Sequence, residues 1–146
     1  MRRFEIVSEF KNANITLPER ATKASAGYDF AVAKDTLIKA GEIVKVPTGI
    51  KACFPETEFL MLVARSSLPI KKNLMLPNGV GIIDADYFEN SLNEGHIMVL
   101  LYNFGTTDVL LKKGEKIAQG IFMKYEKTKE NTNFKPRIGG FGSSDR

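Results

Sequence analysis

Cysteine and histidine are nearly absent from this chain, which contains one of each, Cys53 and His96. An intrachain disulfide is impossible, which is compatible with a reducing compartment. The counts also exclude a zinc site with His/Cys/Cys ligands. A Ser-His-Asp hydrolase would depend on His96, which has no nucleophile-elbow motif beside it. The chemistry of this chain must therefore rest on other side chains.

Long apolar runs are also missing, since none approaches the ~20 residues that a membrane-spanning helix requires. The first ten residues include the acids Glu5 and Glu9 and have no long apolar core, so they do not resemble a signal peptide. We therefore expect a cytoplasmic protein without a membrane partner.

Excess charge is modest, with a formal net charge of +4 and the 21 basic residues scattered along the chain. This distribution is a weak indication of nucleic-acid binding, and a small anionic ligand explains it equally well. We expect no nucleic-acid partner. The length of 146 residues suits one domain with a substantial core.

Helical periodicity is nearly absent, and short apolar segments recur between Gly, Pro and Asn instead. The candidate strands are Phe4–Val7, Tyr28–Ala33, Glu42–Val46, Ile50–Phe54, Phe59–Ala64, Leu74–Leu76, Val80–Ile83, Ile97–Asn103, Val109–Leu111 and Ile117–Tyr125. Many short strands at this spacing predict an all-β barrel or sandwich. One short helix is predicted at Ser66–Lys72, with a serine hydroxyl as its cap and Pro69 in its first turn.

The composition changes after Tyr125, where few residues can be buried. We predict a β domain over residues 1–125 and a flexible C-terminal arm over residues 126–146. The arm contains Arg137 and Phe141 among glycines. It is either a frayed terminus or a segment that wraps phosphate while Phe141 stacks on a ring.

A turn, an apolar segment and two acids follow one another from Pro77 to Tyr87. Asn78-Gly79 is a strong tight-turn pair, and the following Val80–Ile83 segment is predicted to be a buried strand. Asp84 and Asp86 would point to the same face of an extended segment. These acids are either solvated where the strand leaves the sheet or placed there for a task.

Five separated segments carry the candidate chemistry. They are Ala26–Phe30, Ala64–Leu68, Asn78–Tyr87, Gly114–Gln119 and Arg137–Ser144. In this order, on a β-rich chain of this length, they resemble the trimeric dUTPases, the deoxyuridine triphosphate nucleotidohydrolases. The resemblance runs from about Phe4 to Ser144. The segment Asn93-Glu94-Gly95-His96-Ile97 looks like that of enzymes from Gram-positive bacteria and their phages.

The resemblance implies a distorted jelly-roll β-barrel that assembles as a homotrimer, with active sites between subunits and each closed by a neighbour's C-terminal arm. It also implies Mg²⁺-assisted hydrolysis of dUTP to dUMP and pyrophosphate, which limits uracil in DNA and supplies dUMP for dTMP synthesis. Asp84 matches the acid that activates the attacking water, a suitable task for a carboxylate.

Several further roles follow from the resemblance. Asn78 and the Gly79–Gly81 backbone match the hairpin that reads uracil, and Tyr87 matches the ring that packs under deoxyribose and excludes a 2′-hydroxyl. Asp86 has no certain role and is either functional or a neighbouring structural acid.

The remaining motifs match the phosphate-binding parts of the family. Arg65, Ser66 and Ser67 match the second motif, and Gln119 matches an amide near the phosphates. Asp29 matches an acid that acts on Mg²⁺ through water or holds Arg65.

In the arm, the resemblance assigns Arg137 to the γ-phosphate and Phe141 to the face of uracil. The glycines, including Gly142, would let the arm approach the phosphates, and Ser143 belongs to the same substrate-binding segment. Three departures from the family pattern stand out. Glu89 replaces a common Gly, Lys116 replaces a common Arg, and Ser144 replaces a common Thr.

Three alternatives remain open. The dCTP deaminases share the expected fold but lack this C-terminal arm. Some phage relatives also act as regulators that bind repressor proteins, and such a protein partner is an alternative if the chain is phage-encoded. A purely structural jelly roll would leave five polar motifs unexplained.

Overall fold

The computed structural model describes residues 1–130 and 133–142. It contains eleven β-strands, one α-helix and two short 3₁₀ helices in these ranges. The strands are β1 (Arg3–Ile6), β2 (Glu19–Arg20), β3 (Tyr28–Ala31), β4 (Thr36–Ile38), β5 (Ile43–Cys53), β6 (Glu58–Ala64), β7 (Leu74–Met75), β8 (Gly81–Asp84), β9 (Ile97–Asn103), β10 (Val109–Leu111) and β11 (Lys116–Lys124). The helix α1 spans Ser67–Lys72, and the 3₁₀ helices span Ser8–Phe10 and Ala85–Tyr87. The all-β class with one short helix is confirmed.

The strands form three antiparallel sheets, in the orders β1-β5-β9-β7, β10-β4 and β2-β3-β11-β6-β8. One hydrophobic core joins them, with Ile38, Leu60 and Ile97 each contributed by a different sheet and each fully buried. Strand β9 explains how the core forms, because its residues alternate between buried and partly buried along its whole length. This two-residue period places every second side chain in the core.

Strand β5 differs from the prediction, because the two segments Glu42–Val46 and Ile50–Phe54 form one strand of 11 residues. Its pairing with β9 shifts register between Pro47 and Ile50. At this irregularity Thr48 donates its hydroxyl to the Ile97 carbonyl at 2.5 Å, and the Gly49 N–H donates to His96 Nε2 at 2.9 Å. Side-chain hydrogen bonds thus replace ladder bonds where the sequence indicated a break.

The predicted helix cap is also different in the structure. Ser66 itself has helical backbone angles, φ −56° and ψ −30°, and no side-chain hydrogen bond caps the helix. The first turn instead contains a bond from the Leu68 N–H to the Arg65 carbonyl at 3.0 Å. Within the described residues, no helix is long and apolar enough to cross a membrane.

Candidate active site

The third motif lies at an exposed edge of the five-stranded sheet, formed by β8 and the 3₁₀ helix that follows it. The prediction of a buried strand at Val80–Ile83 is wrong, because Val80 and Ile82 are exposed and only Ile83 packs against the core. Strand β8 has a neighbour on one side, β6, with Asp84 opposite Phe59. Its last residue therefore presents a carboxylate to the surface.

The two acids of this motif do not share a face of one extended segment, so that prediction is also wrong. Asp84 ends the strand, whereas Asp86 lies within the 3₁₀ helix. Arg137 of the C-terminal arm brings them together: Nη2 donates to Asp84 Oδ2 at 2.5 Å, and Nε donates to Asp86 Oδ1 at 2.6 Å. One guanidinium thus neutralises both carboxylates.

Tyr87 is nearly buried and its hydroxyl is fully engaged. The hydroxyl donates to the His96 carbonyl at 2.7 Å and accepts from Asn93 Nδ2 at 2.9 Å. Burial raises the pKa of Tyr87, so the phenol stays protonated at neutral pH. These contacts fix the ring and leave one edge for the C-terminal arm.

The arm lies across the third motif of its own chain. A Cβ on Gly140 would lie 2.8 Å from Tyr87 Cε1, so only glycine fits against this ring without a shift. Phe141 has a φ of +52° and lies beneath Lys45, whose Nζ is 4.4 Å from the ring centroid. Gly142 follows with a φ of +89°. Ser143 lies outside the described residues.

A cavity of about 220 Å³ lies where the arm meets the third motif, and we call it the Tyr87 cavity. Its lining includes six predicted site residues, namely Asn78, Gly81, Asp84, Tyr87, Arg137 and Phe141. Apolar side chains complete it, Leu62 among them. The structure therefore brings the third and fifth motifs together around one space that has apolar walls and a carboxylate.

The turn at the edge of this cavity is not the predicted hairpin. Gly79, with a φ of +77°, donates its N–H to the Leu76 carbonyl at 3.0 Å. The flanking strands β7 and β8 belong to different sheets and do not pair. The chain therefore passes from one sheet to another at Asn78-Gly79.

Five other predicted residues meet in a second space of about 200 Å³, which we call the Arg65 cleft. It is lined by Asp29, Arg65, Ser66, Ser67 and Gln119, together with Ala21, Ser25 and Gly27. Asp29 and Gln119 face each other across β3 and β11. The first, second and fourth motifs are thus neighbours, and none of their residues lines the Tyr87 cavity.

Asp29 is the acid that lines the cleft, and 11% of its side chain is exposed. Its carboxylate lies 3.5 Å from Arg65 Nε on one oxygen and 3.5 Å from Lys116 Nζ on the other. Within the described residues, no group of three His, Cys, Asp or Glu side chains is arranged to hold a metal ion. A direct protein cage for Mg²⁺ is therefore absent from that part of the chain.

Asp84 and Arg65 lie toward opposite ends of β6. Asp84 is opposite Phe59 near the beginning of this strand, and Arg65 follows its end. Six residues at about 3.3 Å each place the two positions roughly 20 Å apart. The carboxylate of Asp84 and the guanidinium of Arg65 therefore do not converge within one chain.

Three contacts near the site were not predicted from the sequence. They involve Lys45 above Phe141, and Asn93 and His96 at the Tyr87 hydroxyl. Lys45 has no local signal, because it is one of many surface lysines. His96 stood out in the sequence as the single histidine. In the structure its backbone carbonyl accepts a hydrogen bond from Tyr87, and its ring accepts one from the Gly49 N–H.

Comparison with known proteins identifies the family. The dUTPase family model matches residues 13–145. A deoxyuridine 5'-triphosphate nucleotidohydrolase of Lactococcus lactis is 44% identical over 146 residues, covering 99% of this chain and 97% of the relative. A relative of the same description from Rickettsia felis is 38% identical and covers 94% of each chain.

Solved structures agree with this assignment. The crystal structure of the dUTPase from Streptococcus mutans has a TM-score of 0.84 and 46% identity, covering 87% of this chain and 98% of that one. The dUTPase of phage phi11 of S. aureus has the same fold, with a TM-score of 0.76 at 20% identity over 98% of this chain and 99% of that one. The chain belongs to the dUTPase family.

Proposed function

We propose that this chain hydrolyses dUTP to dUMP and pyrophosphate. The observation that carries the proposal is the Tyr87 cavity, in which one acid, one fixed aromatic ring and the glycine-rich arm surround a space suited to a flat base and its sugar. Its family membership and the names of its relatives support the same reaction.

In this proposal the Tyr87 cavity holds the nucleoside. Uracil binds the backbone near Asn78 and Gly81 and stacks on Phe141, because an aromatic ring has a face for every base. Deoxyribose rests on the Tyr87 ring. The two hydrogen bonds at the Tyr87 hydroxyl keep the ring from moving aside. A 2′-hydroxyl would collide with the fixed ring, so dUTP is preferred over UTP.

Asp84 is the proposed general base. Its carboxylate accepts a proton from water while the water oxygen bonds to the α-phosphorus. The bond from that phosphorus to the bridging oxygen breaks, and the pyrophosphate leaves with its electron pair. Asp84 is half-exposed at the end of β8, so a water molecule can reach it once Arg137 has moved away.

The Arg65 cleft is the proposed phosphate site. Arg65 and Lys116 supply positive charge, and the serines and Gln119 supply hydrogen-bond donors. In the bound complex Arg137 exchanges its two carboxylate partners for the γ-phosphate. Gly142 and Ser143 are proposed to follow along the phosphate chain. We accordingly regard residues 1–125 as the catalytic domain and residues 126–146 as its closing arm.

Mg²⁺ is the proposed cofactor. It keeps several waters and takes most other ligands from a triphosphate, which suits a chain whose described residues form no acidic cage. Asp29 fits an outer position, because each of its oxygens is 3.5 Å from a cation and can still accept from a metal-bound water. When bound, the ion would neutralise charge on the phosphates. Activity should vanish in EDTA and return with Mg²⁺.

A homotrimer with shared active sites is the proposed assembly. One chain places Asp84 and Arg65 roughly 20 Å apart along β6, which is too far for both to act on one α-phosphate. A complete site then needs Asp84 from one copy and the Arg65 cleft from another. Exposed apolar side chains such as Ile70 and Leu92 are available to be covered in such an assembly.

Subunit mixing tests this assembly. Asp84→Asn and Arg65→Ala chains, each inactive alone, should regain activity when co-expressed. In a random equal mixture about a quarter of the shared sites receive both intact residues. If each chain held its own complete site, the mixture would remain inactive.

The reaction is tested by measuring pyrophosphate release from dUTP beside UTP, dTTP and dCTP. We expect release from dUTP alone at low substrate concentration. Ammonia release from dCTP would instead support the deaminase that shares this fold. We place the enzyme in the cytoplasm, where its single cysteine, Cys53, would stay reduced.

A further inference from the structure

The loop that follows Tyr87, residues 88–95, controls where the Tyr87 ring lies. Asn93 from this loop donates to the Tyr87 hydroxyl, and Asn90 Nδ2 donates to the Tyr87 carbonyl at 2.7 Å. The Asn90 amide also donates to Asn93 Oδ1 at 2.8 Å. Gly95 closes the loop against Tyr87, because a Cβ there would lie 2.7 Å from the Tyr87 carbonyl oxygen. A change in the shape of the 88–95 loop would therefore move the ring.

The loop contains two unusual backbone conformations. Glu89 has a φ of +58° and Glu94 a φ of +62°, in the left-handed region that L-residues other than glycine adopt at a cost. The Glu89 N–H donates to the Glu94 carbonyl at 2.9 Å and closes the loop. Contacts from outside the loop also hold this turn, among them the bond from the Ser8 N–H to Glu94 Oε2 at 3.1 Å.

Lys51 on β5 supplies such a contact. Its side chain is 10% exposed, and its ammonium group pairs with Glu89, with Glu94 at 3.4 Å and with Glu5 at 3.8 Å. Glu5 is its cross-strand partner on β1, so the lysine is anchored in the four-stranded sheet. Glu89 and Glu94 belong to the loop. One side chain thus ties both left-handed residues of the loop to the barrel.

The charge of Lys51 persists in spite of this enclosure. Burial lowers the pKa of Lys51, and hydrogen bonds and attraction from Glu89 and Glu94 raise it by more, so the net shift is upward. The lysine remains a cation at neutral pH. Since the pair with Glu89 is mostly shielded on the lysine side, salt screens it less than an exposed pair.

We propose that Lys51 is a positioning residue for substrate selection, which holds the 88–95 loop through Glu89 and Glu94 and thereby fixes the Tyr87 ring under the sugar. The inference rests on the proposed function, because it assigns Tyr87 to the choice between dUTP and UTP. Lys51 itself lines neither the Tyr87 cavity nor the Arg65 cleft.

The test compares kcat and KM for dUTP and UTP in Lys51→Met. We expect the ratio of the two kcat/KM values to fall about tenfold, through a higher KM for dUTP and a gain for UTP, while kcat for dUTP changes little. Lys51→Arg keeps the cation and should retain the ratio within about threefold. Lys112→Met is the matched control, because it removes a lysine that pairs with Asp35 on the exposed surface. Its ratio should equal that of the unaltered protein.

Amide hydrogen exchange gives a second readout. Residues 88–95 should exchange faster in Lys51→Met than in the unaltered protein, with the other strands unchanged. If Lys51→Met retains both the substrate ratio and the slow exchange of the loop, the proposal is wrong.

A second variant tests the proposal if the Lys51→Met protein does not fold. Glu89→Gln with Glu94→Gln neutralises the loop acids and leaves Lys51 paired with Glu5. The same loss of ratio is expected, and an unchanged ratio refutes the proposal. If the unaltered protein does not release pyrophosphate from dUTP, the proposed function fails, while exchange of the loop still reports whether Lys51 holds it.

Discussion

Replacing Gly140 by alanine tests whether the arm rests on Tyr87 during turnover. The new Cβ would lie 2.8 Å from Tyr87 Cε1 and 3.5 Å from Cδ1 and Cζ. Non-bonded carbons prefer roughly 3.5–4.0 Å, so the contact at Cε1 is too short by about 0.7 Å or more. Tyr87 is held by two hydrogen bonds at its hydroxyl and is 5% exposed. The arm, not the ring, must therefore retreat.

The size of the effect follows from the cost of such a clash. Overpacking costs about 1–3 kcal/mol, and each 1.4 kcal/mol is a factor of ten in kcat/KM. We expect kcat/KM for dUTP to fall roughly 5- to 150-fold. The melting temperature should change by less than about 2 °C, because most described residues between β11 and Arg137 are exposed. The loss is thus one of closure and not of folding.

A double-mutant cycle isolates this contact. In a Tyr87→Ala background the ring is gone, so adding Gly140→Ala should cost less than about threefold in kcat/KM. The assay is pyrophosphate release at several dUTP concentrations, with thermal melts of all four proteins. A Gly140→Ala protein with full kcat/KM would show that the arm does not close against Tyr87.

Three further predictions concern the base, the arm and the single histidine. Asp84→Asn should lower kcat by about 10²–10⁴ with dUTP binding retained in calorimetry, and near-normal turnover would remove Asp84 from the role of base. Deleting residues 137–146 should leave the melting temperature nearly unchanged and abolish dUTP turnover, and a truncated protein with the full rate would show that the arm is a frayed terminus. Burial lowers the pKa of His96 in the folded protein. Below the unfolded pKa of about 6.5, the unfolded chain therefore binds a proton that the folded chain does not. The stability of the fold consequently falls as the pH falls. Thermal melts between about pH 7 and 5.5 should show this loss of stability. The loss should be smaller in His96→Gln, in which a side-chain oxygen can still accept from the Gly49 N–H. An equal loss in the variant would show that His96 is not its cause.

Local patterns were sufficient where a strand is set by alternation and by clear turns. The predicted bounds of Ile97–Asn103 and Val109–Leu111 equal those of β9 and β10. The short strands Glu19–Arg20 and Thr36–Ile38 were missed, since β2 has two exposed residues and neither segment shows a period. Their pairing with β3 and β10 comes from the tertiary structure.

The candidate site was likewise predictable in part. The resemblance of their motifs to a known family selected Asp84, Tyr87 and Arg137, which the structure brings to one cavity. Their catalytic roles stay predictions. The way in which Asp84 and Asp86 meet was not predictable from spacing, because it depends on the guanidinium of a residue more than fifty positions further along the chain. Contacts of that kind leave no local pattern in a sequence.

The separation of the two halves of the site depends on one choice of strand partner. β7 and β8 are joined by the Asn78-Gly79 turn and would ordinarily form a hairpin. In the structure β7 pairs with β9, and β8 crosses to β6. This antiparallel pairing carries Asp84 toward Phe59, away from Arg65 at the other end of β6. Had β8 run along the same residues of β6 in the opposite direction, Asp84 would lie opposite Leu62, roughly 10 Å from the position of Arg65 instead of roughly 20 Å. The direction of a four-residue strand thus accounts for about half of the separation on which the proposed need for a second copy rests.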